Sequence, residues 1–173
     1  MKITKTSLPE NSLIKNIPSD YMDSYSAGIN AKLLTIEQVG KSFFLASPDW
    51  VNTLLLLRDK VVGFLGLKTG RDASDKQRLI ANFKCEVGER VALFKVFDKN
   101  QDEVVFGEND KHLDFRVSLF LDREKGKLIV STVVKFNNWM GRLYFLPVLP
   151  FHKIIVPVIT KGMVKRLERG DSS

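Results

Sequence analysis

A chain of 173 residues, 44% hydrophobic and 27% charged, has the composition of one globular domain with a sizeable core, which excludes a disordered chain and two domains of ordinary size. Its formal charge of +7 arises from 27 basic residues interspersed with 20 acidic ones, a mixed surface without the clustering that a nucleic-acid groove requires. Cys85 is the only cysteine, so no internal disulfide is possible and a reducing, cytoplasmic home is expected; with two histidines and no ligand spacing, neither metal nor cofactor is expected.

The first ten residues have a basic start without an apolar run behind it, unlike a signal peptide. Residues 1–20, broken by Pro9, Asn11, Asn16 and Pro18, are expected to form a polar arm across the surface of a single domain spanning 21–173. Tyr21 to Asn30 reads as a strand weakened by Ser24, Ser26 and Gly28. Thr35-Ile36-Glu37-Gln38 has the form of a capping box, and Val39 and Phe43 follow on the face of Ile36, predicting a short helix. Ser47, Pro48 and Asp49 begin a second helix whose Trp50, Val51, Leu54, Leu55, Val61, Val62 and Leu65 cover more than one face, until Gly63 and Gly66 weaken and end it. The two helices should form a V. Arg58 and Asp59 read as a salt-bridged helix exterior, and Lys68 to Arg78 as a charged loop.

From about Ile80 the period becomes that of strands: Val91–Phe97, Val104–Glu108, His112–Asp122 and Leu128–Asn137, joined by turns at 99–102 and 123–126. Such short connections predict an antiparallel meander. Within Glu103–Val117, Val104 and Phe106 share a face with Leu113, Phe115, Val117 and Leu119, while Gly107 to Asp110 offers turn residues that tolerate positive φ. The opposite phase, His112, Asp114, Arg116 and Ser118, presents a charged surface. Both faces of Leu128–Asn137 are apolar, so the sheet should be covered on one side and partly sheltered on the other.

Trp139 to Arg169 contains Pro147, Pro150 and Pro157, which predict an interrupted helix restarting at Pro150. Phe151, Ile154, Ile155, Val158, Ile159, Met163 and Leu167 form an apolar stripe opposite Lys153, Lys161, Lys165 and Glu168, so the helix should lie along the sheet. A membrane span over Leu143–Thr160 is disfavoured, because a lysine at the bilayer centre costs about 2.5–3.5 kcal/mol and Lys153 sits mid-segment. A second reading sets the basic residues from Arg142 to Arg169 on an anionic surface.

The order weak strand, two helices in a V, antiparallel meander and long carboxy-terminal helix resembles the helix-grip α+β fold of the START and birch-pollen-allergen (SRPBCC) superfamily. Trp50–Gly66, Glu103–Val117, Gly141-Arg142-Leu143-Tyr144 and Pro150-Phe151-His152 resemble more closely an uncharacterised bacterial family within it, whose members also occur at the carboxy end of short-chain-dehydrogenase-like proteins. The most specific segment is Asp110 to Arg116, and the similarity spans most of residues 20–165. Where relatives carry a His-Asn pair before the Gly-Arg, this chain has Asn137-Asn138, so no proton-transfer role is carried over to that position. The Gly-rich dinucleotide fingerprint is absent.

The resemblance implies an apolar cavity between sheet and long helix, and the leading expectation is binding of a small apolar or amphipathic ligand. Asn138, Trp139, Arg142, Tyr144, Phe151 and Ile155 are the expected lining and mouth. Two alternatives stand beside it. One is an enzyme in which His112 works with Asp110 or Asp114, and Arg116 stabilises an anion. The other is an interaction module that works with an oxidoreductase.

Overall fold

The computed structural model describes residues 1–46, 80–91 and 93–170. The second helix expected from Ser47, the Arg58–Asp59 pair and the Lys68–Arg78 loop lie outside the described residues. Among the described residues, seven strands form one antiparallel sheet: β1 Ile3–Lys5, β2 Tyr21–Gly28, β3 Arg90–Val91, β4 Phe94–Lys99, β5 Glu103–Asn109, β6 Leu113–Asp122 and β7 Lys127–Phe136, in the order β1-β2-β7-β6-β5-β4-β3. From β3 to β7 every neighbour is the next strand in sequence, as short turns require. The weak strand β2 docks on β7, Tyr21 opposite Val134 and Ala27 opposite Leu128.

Two strand boundaries differ from expectation. Val91–Phe97 is divided, because Phe94 folds back to pair with Val91, and Ile80–Asn82 is helical rather than extended. The hairpin from β5 to β6 turns at Asp110–His112 and not at Gly107: Asp110 N–H donates to Leu113 O at 3.1 Å, and Asp110 Oδ1 accepts from His112 N–H at 3.2 Å. This is an Asx-type turn, and no residue in it has positive φ. Gly107 serves another purpose within the strand. A Cβ there would stand 2.2 Å from Phe115 O and 2.8 Å from Arg116 Cδ, so the absent side chain lets Arg116 cross the sheet.

Helix α1, Ile36–Leu45, begins with the expected capping box: Gln38 N–H donates to Thr35 Oγ1 at 3.2 Å and Thr35 N–H to Gln38 Oε1 at 3.0 Å. Its Ile36, Val39, Phe43 and Phe44 are buried against one face of the sheet with Val104, Phe106, Val117, Leu119, Leu128 and Val130. Phe43, Phe44, Phe83, Phe94 and Phe106 contact one another ring to ring in tilted, edge-on and stacked pairs, which contribute beyond their buried area. Gly40 lets Cys85 into this core, for a Cβ at 40 would lie 2.2 Å from the thiol sulfur. Burial pushes the Cys85 thiol up to about 12. Because the thiolate is the nucleophile, native Cys85 should react with a disulfide reagent at pH 8 on the order of a thousandfold more slowly than an unstructured thiol. Full-rate labelling of folded protein would contradict this burial.

The other face of the sheet is covered by the amino-terminal residues, which form more than a polar arm. β1 extends the sheet, and Leu8 and Ile14 are buried with Val105 and Val133. Between them lies Glu103, 0% exposed, whose carboxyl accepts from Ser12 Oγ at 2.6 Å, from Leu13 N–H at 2.7 Å and from Ser118 Oγ. Ser118, expected on an outward charged face, is fully buried because this segment lies on top of it.

Helix α2 runs from Trp139 to Arg169 through all three prolines, not interrupted as expected. A proline forfeits a bond to the carbonyl four residues earlier. Those carbonyls belong to Leu143, Leu146 and Lys153, exposed residues on the solvent side of the helix, where water replaces the missing donor. Gly170, at φ 76°, closes the helix in the left-handed conformation, and Arg166 and Arg169 occupy its negative end. The inward stripe is Phe145, Val156, Ile159, Met163, Val164 and Leu167. Phe151, Ile154 and Val158, expected in that stripe, face outward instead.

Candidate functional site

The hairpin residues expected to perform acid/base chemistry are taken up by a structural junction between the Asp110–His112 turn and the start of α2. Asn138 caps the helix, its Oδ1 accepting from Gly141 N–H at 3.1 Å, while its Nδ2 donates to Lys111 O at 3.1 Å. That orientation fixes Oδ1 as the acceptor facing His112, so His112 Nδ1–H donates to it at 3.2 Å. Asn137 Nδ2 donates to Asp110 O at 2.9 Å and to Asp114 Oδ1 at 3.0 Å. Gly141 lies flush on the turn, for a Cβ there would be 2.1 Å from His112 O. Neither Asp110 nor Asp114 bonds the His112 imidazole; the carboxylate of Asp110 takes the backbone N–H of His112 instead. Arg116 stacks over Phe97, 3.5 Å from ring centroid to guanidinium carbon, and donates to Phe115 O, Glu108 O and Asn109 Oδ1. Its partners are all within the fold, and none is the His112 ring.

Residues expected to line a cavity are scattered. Ile155 packs against the core and Tyr144 is half-buried, but Trp139 and Phe151 are exposed to solvent and Asn138 is the helix cap. Arg142 reaches Asp20 at 3.6 Å and lies 5.9 Å from the Phe136 ring. Trp139 and Phe151, placed outward, lie away from the space between sheet and helix.

A polar cluster does occupy that seam, from residues the pattern did not single out together. Asp23, 5% exposed, projects from β2 toward α2, where Tyr21 Oη donates to its Oδ2 at 2.7 Å and His152 Nε2–H to its Oδ1 at 3.2 Å. Beside it, in register with Asp23, the Thr132 hydroxyl is buried without a hydrogen-bond partner among the described residues. Phe145 packs on Tyr21 at 5.0 Å and on Phe136 at 5.4 Å, and the Tyr21 and His152 rings meet edge-on at 5.9 Å. Burial, then the bond to Asp23 and its charge, raises the Tyr21 phenol well above its usual range, so it remains a donor. In neutral His152 the proton is on Nε2 and the lone pair on Nδ1, the arrangement of an imidazole oriented by a carboxylate. The sequence signal was a single histidine in an apolar helical run and a single aspartate in the phase Tyr21-x-Asp23-x-Tyr25.

Among the described residues no group of three or more His, Cys, Asp or Glu stands together as a metal site. An open depression of about 670 Å³ lies elsewhere, lined among others by Leu34, Ile36, Val87, Lys99 and Arg123. Its cations are already paired, Lys99 with Glu86 at 2.9 Å and Arg123 with Asp102.

Sheet, long helix and buried polar seam define an α+β domain of helix-grip type, in which one helix lies along a seven-stranded antiparallel sheet. The family described as "Protein of unknown function (DUF2867)" matches residues 18–159, and the chain belongs to it. No curated protein and no solved structure matches the chain.

Proposed function

We propose that this domain is an SRPBCC-type module that binds a small amphipathic molecule in the seam between the sheet and α2, with its polar group held by Asp23, Thr132 and His152. The observation that carries this reading is the Thr132 hydroxyl, 3% exposed and unpartnered, next to a buried carboxylate. A buried polar group left alone costs about 1–3 kcal/mol, so natural folds retain one where a ligand or ordered water completes it. The neighbouring Phe145, Val134 and Val156 offer apolar contact for the remainder of the molecule. A hydroxyl or an amine on the ligand has the complementary chemistry, since either donates to Thr132 and to the carboxylate. The lone thiol, buried in the core, accords with a cytoplasmic protein.

Native mass spectrometry of gently purified protein, followed by solvent extraction, tests this directly. An extractable amphipathic compound is expected to accompany the wild-type protein. Thr132→Val should lose that compound while gaining about 1 kcal/mol of stability in its absence, because an isosteric apolar group replaces an unpaired hydroxyl. If the bare mass is found throughout and Thr132→Val changes stability alone, Thr132 is a core residue and the ligand reading fails.

A further inference from the structure

We propose that the outward face of α2 is a docking surface for an anionic lipid bilayer, on which the domain rests with the helix parallel to the membrane plane. Trp139, Leu143, Leu146, Phe151, Ile154 and Val158 are the large apolar residues exposed on this helix, each between 37% and 70%. At 100° per residue, Trp139, Leu143, Leu146, Pro150, Ile154 and Val158 fall within about 120° of arc, a continuous ridge about 30 Å long opposite the face that packs on the sheet. A helix apolar on all sides is normally buried on all sides. Here the helix is long and apolar enough to cross a membrane, yet only 22% of its most apolar 18-residue stretch is buried.

Packing of Phe145, Val156, Ile159 and Met163 on the sheet side is incompatible with a span, since the helix would have to leave the core to enter the bilayer. Lying in the interface satisfies both faces at once. Charge selects among occupants. Arg142, Lys153, Lys161, Lys165, Arg166 and Arg169 stand against Glu168 alone, so α2 carries +5 of the +7 on the whole chain. A second copy would set two such helices against each other. Residues 47–79, apolar in part, carry +2 by themselves, with Asp49, Asp59, Asp72 and Asp75 against six basic residues. Neither carries a net negative charge, whereas an anionic headgroup layer does, and Trp139 is suited to the polar–apolar boundary.

The test is sedimentation with vesicles of equimolar phosphatidylglycerol and phosphatidylcholine against phosphatidylcholine alone, for the wild type and for the double variant Leu146→Glu, Ile154→Glu. Both positions are exposed, so the variant should melt like the wild type. The expected result is binding at least tenfold tighter to the anionic vesicles, weakened by salt, and reduced more than tenfold in the variant. Three results overturn the proposal. One is equal sedimentation of both proteins, or none. Another is a wild-type dimer in light scattering that the substitutions dissolve, which assigns the face to a second copy. The third is a lowered melting temperature of the variant without vesicle binding by the wild type, which assigns the face to residues 47–79 of the same chain. Thr132→Val, which leaves the outward face of α2 unchanged, separates this surface from the ligand seam: vesicle binding should survive it.

Discussion

Glu103→Ala is expected to destabilise the domain by roughly 3–5 kcal/mol and to release its amino-terminal segment. The carboxyl is the shared acceptor for two hydroxyls and one backbone amide, from residues as distant in sequence as Ser12 and Ser118. Truncation leaves two buried serine hydroxyls and the half-buried Leu13 N–H without an acceptor, at about 1–3 kcal/mol for each buried donor before relaxation, together with the cavity of the lost side chain. Water entering beside Ser12 recovers part of that, so the sum is an upper bound. Urea unfolding should show the lower midpoint, and proteolysis should cut within residues 1–20 faster than in the wild type. Glu103→Gln should lie between the two, since one of its two positions becomes a donor facing other donors. A wild-type midpoint for Glu103→Ala would mean that the segment is held by Leu8 and Ile14 alone.

Met163→Asp is expected to abolish cooperative folding. Met163 is fully buried where α2 meets the sheet and α1, in the same core as Val39, Leu119 and Val130. An unpaired carboxylate there has no cation and no water, a cost beyond the few kcal/mol by which small domains are stable. Ile155 offers a graded control: it only packs against the edge of that core, so Ile155→Asp should weaken the domain without unfolding it. Circular dichroism melts of the two variants should differ in kind, one without a transition and one with a shifted transition. A sigmoidal melt for Met163→Asp near the wild-type temperature would refute the placement of α2 on the sheet.

Periodicity by itself does not identify the face of α2 that meets the sheet. The stripe expected from Phe151 to Leu167 takes in the outward Ile154 and Val158 and omits the buried Val156 and Val164, because spacing alone does not say on which side of a helix the core lies. The helix is apolar on two opposite faces, and only packing tells which face meets the sheet. Phe145, Val156 and Val164 belong to the inner face, while Phe151, Ile154 and Val158 turn away from it. The prolines follow the same logic: the loss of a backbone donor is a local property, whereas the position of the orphaned carbonyls on the solvent side is a tertiary one.

The candidate site shows the same division. His112, Asp114 and Arg116 alternate in sequence as one strand face would, yet His112 lies in the turn before β6 and each is engaged by a partner from elsewhere: Asn138, Asn137 and Phe97. Asp110 to Arg116 and Asn137 to Gly141, read as separate motifs, are two halves of one turn-to-helix junction. The Asp23–His152 pair, separated by 129 positions, has no local signature linking its members.

What the sequence by itself determined is what short-range physics controls. The Thr35–Gln38 capping box, the antiparallel meander from β4 to β7 and the core phase of Val104, Phe106, Val117 and Leu119 follow from hydrogen bonds and side-chain alternation over a few residues. Tertiary structure alone decided three things: that β2 pairs with β7, that residues 1–20 seal the outer face over Glu103, and that α2 brings His152 to Asp23. Each depends on which surfaces meet after collapse, where burial and the satisfaction of distant polar groups outweigh local preference.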